Sequence, residues 1–149
     1  MAAASPAGPP PALPDEHSDP QRPPLDADSR LLEWRDGIAL PIVVDGMPPA
    51  RQAYARSTPI PAADQPRVAI IVDDLGLDAE RLEQSVLLPG EVGLVHTPYA
   101  AYLSLWQRHA RWHGHEVMLS LDLQAADYPA SDLGPWALDP LAVPADQLA

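Results

Sequence analysis

Cysteine is absent from this chain of 149 residues, and basic residues are few. Without cysteine there is no disulfide and no thiolate metal site, and the redox state of the compartment stays undecided. Nine lysines and arginines stand against 21 aspartates and glutamates, so the formal net charge is −12. A chain this acidic lacks the basic surface that neutralises phosphates, which argues against nucleic acid or an anionic membrane surface as a partner.

Long apolar runs are missing as well. No stretch approaches the roughly 20 residues that a membrane-spanning helix requires, so we expect no membrane span. The start of the sequence, MAAASPAGPPPALPDEHSDP, has neither the basic region nor the long apolar region of a signal peptide. Either the protein stays in the cytoplasm or an export segment precedes this sequence.

Proline, by contrast, is abundant and unevenly spread: 14 of the 20 prolines lie in residues 1–66. We predict that residues 1–29 are a disordered or polyproline-like tail rich in proline and alanine, because they hold too few large aliphatic side chains to offset the entropy of ordering. Residues 30–66 are interpreted as a pre-domain segment and linker, with a short strand in GIALPIVVDG. The folded domain is expected over residues 67–149.

Strands and helices alternate in the predicted domain. The pattern predicts a strand over residues 68–72, a helix over 78–88 capped by Asp78, a strand over 91–95, a helix that starts at Thr97 and ends before Gly114, and a strand over 115–121. This order predicts an α/β fold whose three parallel strands are joined by crossover helices. Because so small a parallel sheet has unpaired edges, we expect it to pair with more chain or with a second copy in a homo-oligomer.

Two adjacent carboxylates, Asp73 and Asp74, end the first of these strands in RVAIIVDDLG. The carboxyl ends of parallel strands are where α/β folds place their chemistry. If the strand continued through the pair, only one side chain would face the site, whereas a turn starting at Asp73 would let both reach one cavity. The pair would then suit one metal ligand and one general base. The other interpretation, favoured on spacing alone, is that one Asp closes the turn and the other is merely solvated.

Histidines form the second set of candidates. His96 is predicted at the end of the second strand, on the same edge as the aspartates, as a polar wall of the site. His109 and His113 are four residues apart on one helix face. They would either chelate a metal or, in the favoured interpretation, interact with the C-terminus of that helix.

Four segments match one known family in the order in which that family has them: RVAIIVDDLGLDAE, LLPGEVGLVHTPYA, GHEVMLSL and DYPASDLGPWAL. The sequence resembles bacterial members of the divergent polysaccharide deacetylase family, relatives of the NodB-type carbohydrate esterases, over about residues 38–140. The resemblance implies a partial, deformed (β/α) barrel of which this chain supplies the first three strands. It also implies a chain that is truncated relative to the family, whose members are often exported or periplasmic.

A function follows from the same resemblance. Related deacetylases remove acetyl groups from sugars with a divalent metal, usually zinc, which implies a role in carbohydrate metabolism and an acetylated oligosaccharide or polysaccharide as partner. By resemblance, Asp73 is the catalytic base and Asp74 is a metal ligand.

The chain departs from the active deacetylases at two positions. Ser120 and Gln124 stand where the resemblance places further metal ligands, so Asp122 or His96 would have to help complete the site, since a catalytic zinc takes about three protein ligands. Ser120 and Asp122 are predicted, with His96, as walls of the site. These departures favour the alternative, a non-catalytic binding or interaction module.

Overall fold

The computed structural model describes residues 8–13, 23–59, 62 and 64–140. In chain order these form a 3₁₀ helix (Ser29–Leu31), strands β1 (Leu32–Arg35) and β2 (Ile38–Pro41), helix α1 (Ala50–Ala53), strand β3 (Ile71–Leu75), helix α2 (Ala79–Ser85), strand β4 (Gly93–His96), helix α3 (Leu103–Trp112) and strand β5 (Val117–Leu119). Within the described ranges, no helix has the length and apolar character needed to cross a membrane.

A parallel sheet in the order β3-β4-β5 forms the centre of the domain and confirms the predicted α/β arrangement. The register pairs Val72 with Leu94 and Leu94 with Val117, so these three side chains lie on one face. Helices α2 and α3 cover that face, and the core consists of Leu75, Leu82, Val86, Val92, Leu94, Trp106 and Ala110. Three strands do not close a barrel, so the deformed barrel stays a prediction.

The opposite face of the sheet is apolar and open to solvent. Ile71 and Met118 lie on it and are 56% and 40% exposed. Gly93 lies between them, since a Cβ placed there would lie 3.4 Å from the Met118 side chain and 3.5 Å from that of Ile71. The expected pairing of this small sheet with more chain or with a second copy remains a prediction.

Helix α2 begins as predicted and ends earlier. The carboxylate of Asp78 accepts a hydrogen bond from the backbone N–H of Arg81 at 3.1 Å, which satisfies one of the free donors of the first turn. The helix ends at Ser85, three residues before the predicted end, and the chain continues as a turn towards Pro89.

The predicted start of α3 at Thr97 is wrong. Tyr102, directly before the helix, has a left-handed backbone with φ of 55°, which prevents the residues before it from joining the helix. Thr97 instead closes a separate turn, in which its carbonyl oxygen accepts the N–H of Ala100 at 3.2 Å. The predicted end is confirmed: Gly114 has φ of +95°, and the N–H of His115 reaches back to the carbonyl of Ala110 at 3.1 Å.

His115 is fully buried and holds three parts of the domain together. Its Nδ1 lies 2.9 Å from the carbonyl oxygen of Val92, and its Nε2 lies 3.2 Å from that of Val86. A neutral imidazole donates through one nitrogen only, so the tautomer decides which of these contacts is the hydrogen bond. The side chain thereby joins the start of β5 to the end of α2 and the start of β4.

The pre-domain segment contains an antiparallel hairpin of β1 and β2. Strand β2 confirms the short strand predicted in GIALPIVVDG, whereas β1 was not predicted. Further along, the Arg56 guanidinium donates to the carbonyl of Gly114 at 3.2 Å and pairs with Glu91 at 3.4 Å. These contacts attach the segment to the loops that precede β4 and β5.

Disorder throughout residues 1–29 is not confirmed. Where this tail is described, it lies on α3: the Trp106 indole donates to the carbonyl of Gly8 at 2.8 Å, and the Arg111 Nε donates to the carbonyl of Pro24 at 2.7 Å. Pro23 is fully buried. The parts of the prediction that concern residues 1–7 and 14–22 lie outside the described residues.

We expect Gly76→Ala to lower the free energy of unfolding by about 2–4 kcal/mol. The backbone of Gly76 has φ of +121°, and an added Cβ would collide with the Cβ of Ala100 and lie 3.2 Å from its Cα. Urea denaturation measures the change. Adding Ala100→Gly should restore the stability lost through the collision but not the stability lost through the strained backbone of residue 76. An unchanged unfolding midpoint for Gly76→Ala would contradict this account.

Candidate functional site

Strand β3 begins later than predicted and runs through the aspartate pair to Leu75. It is irregular there, because the pairing with β4 shifts register between Val72 and Leu75. Asp74 has a left-handed backbone with φ of 61°, a conformation that Asp tolerates better than most residues. Its N–H donates to Oδ1 of Asp73 at 2.7 Å. This irregularity breaks the alternation of a regular strand, so the continuing strand does not send the two side chains to opposite faces.

Both aspartates line one cleft between β3 and α2, with a volume of about 330 Å³. The cleft is lined by Val72, Asp73, Asp74, Leu75, Arg81, Gln84, Ser85 and Leu88. Two carboxylates stand against one guanidinium, so the cleft has a net negative charge and offers both hydrogen-bond acceptors and donors.

The side of the cleft formed by α2 was missed by sequence reasoning. Arg81, Gln84 and Ser85 follow one another at i, i+3 and i+4, which is the spacing of a single helix face, and Leu88 lies in the turn after the helix. The helix itself is predicted from its apolar face, which has Leu82 at its centre. The spacing of the polar residues on the face next to the aspartates is the signal that could have indicated this side of the cleft.

Neighbouring side chains position the polar groups of α2. Arg81 lies 3.9 Å from the carboxylate of Asp78, and the Gln84 amide donates to Glu80 at 3.0 Å. The hydroxyl of Ser85 donates to the carbonyl of Leu82 at 2.7 Å and is therefore already engaged.

His96 ends β4 but does not line the cleft. Its side chain is fully buried, and neither ring nitrogen has a hydrogen-bond partner among the described residues. Burial, and then the nearby His115, lowers the pKa of His96 below its ordinary value, since a buried charge without a partner is costly. The neutral ring is therefore the form that this position favours.

Ser120 and Asp122 lie beyond β5 and also outside the lining of the cleft. The N–H of Ser120 donates to the carbonyl of His96 at 2.9 Å, and the carbonyl of Asp122 accepts from Leu138 at 2.8 Å. The first contact places Ser120 beside the end of β4, and the second joins Asp122 to the segment around Leu138. Their roles as walls of a site remain predictions.

The residues described do not fit a complete zinc site. Zinc in a catalytic site takes about three protein ligands and keeps one open position. Within residues 8–13, 23–59, 62 and 64–140, no three His, Cys, Asp or Glu side chains come close enough together to hold a metal ion. Asp73 and Asp74 supply carboxylate oxygens, but the described chain brings no third ligand to them.

A family model described as divergent polysaccharide deacetylase matches residues 70–147, just over half of the chain. The protein therefore belongs to the divergent polysaccharide deacetylase family. No curated protein and no solved structure matches the chain. The family match includes the whole parallel sheet, the aspartate pair and α2, whereas the resemblance of residues 38–69 lies outside it and remains a prediction.

Replacing Asp74 separates its backbone role from its charge. We expect Asp74→Val to lower the free energy of unfolding by about 1–2 kcal/mol, because a β-branched residue resists the left-handed backbone at this position. Asp74→Gly removes the same carboxylate without that strain and should stay within about 0.5 kcal/mol of the parent protein. Urea denaturation measures both. Equal destabilisation by Val and Gly would mean that the backbone conformation is not the cause.

Stability should fall in mild acid because of His96. A base whose pKa is lower in the folded than in the unfolded protein adds stability that is present above its ordinary value of 6.5, and this stability is lost as the pH falls through the folded-state pKa. Denaturation curves recorded from neutral pH downward measure the slope. His96→Leu should reduce the slope of stability against pH. The slope that remains is the contribution of His109, because burial lowers the pKa of His109 as well. An unchanged slope in His96→Leu would contradict this assignment.

Proposed function

We propose that this protein functions in carbohydrate metabolism by binding a saccharide in the cleft between β3 and α2. The observation that carries the proposal is that Asp73 and Asp74, adjacent in sequence, both line this cleft in a member of the divergent polysaccharide deacetylase family. The carboxyl end of a parallel strand is also where α/β proteins commonly bind their ligands.

The chemistry of the cleft suits sugar hydroxyls. Carboxylates accept hydrogen bonds from hydroxyl groups, while the Arg81 guanidinium and the Gln84 amide can donate to hydroxyl or acetyl oxygens. A volume of about 330 Å³ is at the small end of ligand pockets, which range over roughly 300–1,000 Å³. We therefore expect the cleft to hold a single sugar unit of a longer chain.

Removal of an acetyl group from the bound sugar is the second candidate function. The arrangement that favours it is the pair of carboxylates in one open cleft, with Asp73 in the role of base and Asp74 in the role of metal ligand. The metal would supply Lewis-acid chemistry. Its remaining ligands are not among the described residues, so saccharide binding without hydrolysis is the function that the described chain supports best.

The test is calorimetric titration of the full chain with an N-acetylated oligosaccharide. We expect saturable binding that Asp73→Asn and Asp74→Asn each weaken about tenfold or more, because each loses a charge-assisted hydrogen bond to the sugar. Asp132→Asn is the matched control: it removes one negative charge and keeps the oxygen that accepts the N–H of Gly134, outside the cleft.

Equal weakening by Asp132→Asn, or no binding by a folded sample, would contradict the proposal. Acetate release in the presence of added zinc, lost in both Asp73→Asn and Asp74→Asn, would establish the second candidate. Binding without acetate release would establish the non-catalytic function.

A further inference from the structure

The side of α3 next to α2 carries a proline-rich stretch of the same chain, Gly8–Pro9–Pro10–Pro11–Ala12–Leu13, here called the proline segment. Two shallow grooves lie between the segment and the helices, and residues of both line them. One is lined by Pro10, Pro11, Ala12, Leu13, Leu105, Arg108 and His109, and the other by Pro11, Glu83, Val86, Leu87, Trp106 and His109. The segment thus lies across α3 and reaches the end of α2.

The two partly buried residues of the proline segment lie three positions apart. Pro10 and Leu13 are partly buried, whereas the other residues of the segment are exposed. Three residues per turn is the period of a polyproline II helix, which consecutive prolines favour because each ring fixes φ. The segment therefore presents one edge to the groove, with Pro10 and Leu13 as its anchors.

An indole donor supplies the polar contact. Nε1 of Trp106 donates to the carbonyl oxygen of Gly8 at 2.8 Å. Prolines lack an N–H, so the carbonyls of such a segment have no partner within it and must be satisfied by donors from outside. An aromatic-lined groove with a donor aimed at a backbone carbonyl is the general means by which proteins bind polyproline segments.

A second stretch of the N-terminal part follows α3 in the same manner. The Arg111 side chain donates to the carbonyl oxygen of Pro24 at 2.7 Å, and Arg108 forms an ion pair with Asp26. The helix thus offers donors to backbone carbonyls of proline-rich chain at two separate places. A hydrogen bond from a side chain of α3 to a backbone carbonyl is common to both.

We infer that the surface where α3 meets the end of α2 is a recognition groove for proline-rich chain and that the proline segment is its ligand in this protein. The groove contacts one edge of a polyproline II helix at Pro10 and Leu13. Trp106 donates a hydrogen bond to one backbone carbonyl of the segment. Because the proline segment is already stiff, it loses little conformational entropy on docking. This site is separate from the cleft of Asp73 and Asp74, and it does not depend on the proposed function.

The test compares two full-length variants that add the same charge to the proline segment. Pro10→Asp with Leu13→Asp changes the anchors, and Gly8→Asp with Pro9→Asp changes exposed positions that line neither groove. The Trp106 indole N–H, assigned with Trp106→Phe, is followed by NMR hydrogen exchange. We expect exchange to be at least about tenfold faster in the anchor variant, because buried charges release the segment, and unchanged in the control variant.

A peptide of residues 6–13 added to the anchor variant should restore slow exchange in a saturable manner, while the same peptide with both anchors changed to Asp should not. Unchanged exchange in the anchor variant would overturn the inference. Equal acceleration in the two variants, or a failure of the unmodified peptide to restore protection, would also overturn it. Both variants leave the core under α3 intact, so loss of folding does not confuse the result.

Discussion

The close contact between the two loops that follow β3 and β4 is the constraint on which the site depends. Gly76 lies so near Ala100 that no side chain fits between them. Directly before it, the carbonyl of Leu75 accepts the N–H of Thr97 at 2.8 Å. Together these contacts fix the position of the end of β3 relative to β4. The left-handed backbone at Asp74 lies within this fixed stretch, so the direction of both carboxylates follows from it.

The arrangement of the parallel sheet could be predicted from sequence because its signals are local. Short apolar runs, the capping residue Asp78 and the terminating Gly114 each act on their own neighbours. The start of α3 could not be predicted in this way. Thr97 followed by proline has the local signature of a helix start. In the structure, however, the N–H of Thr97 donates to the carbonyl of Leu75, and the left-handed backbone of Tyr102 separates Thr97 from the helix. Packing between loops outweighed the local preference.

The candidate site could be predicted only in part, for a related reason. Two adjacent carboxylates at a strand end are visible in the sequence, but whether both enter one cleft depends on a register shift between neighbouring strands. Arg81 and Gln84 follow from helical spacing once that cleft is known. His96 shows the opposite case: the end of a strand predicts a place at the functional edge, yet the core encloses its side chain completely.

The N-terminal part shows what composition alone leaves out. A proline-rich stretch has too few large apolar side chains to form a core, and from this its disorder was predicted. The same argument omits donors supplied by the rest of the chain, such as Trp106 and Arg111, which bind its carbonyl oxygens from α3. A proline helix requires little further ordering, so a few such contacts suffice to hold it on a helix surface. The order of this segment therefore depends on its contacts with the surface of α3. The composition of the segment alone holds no information about that surface.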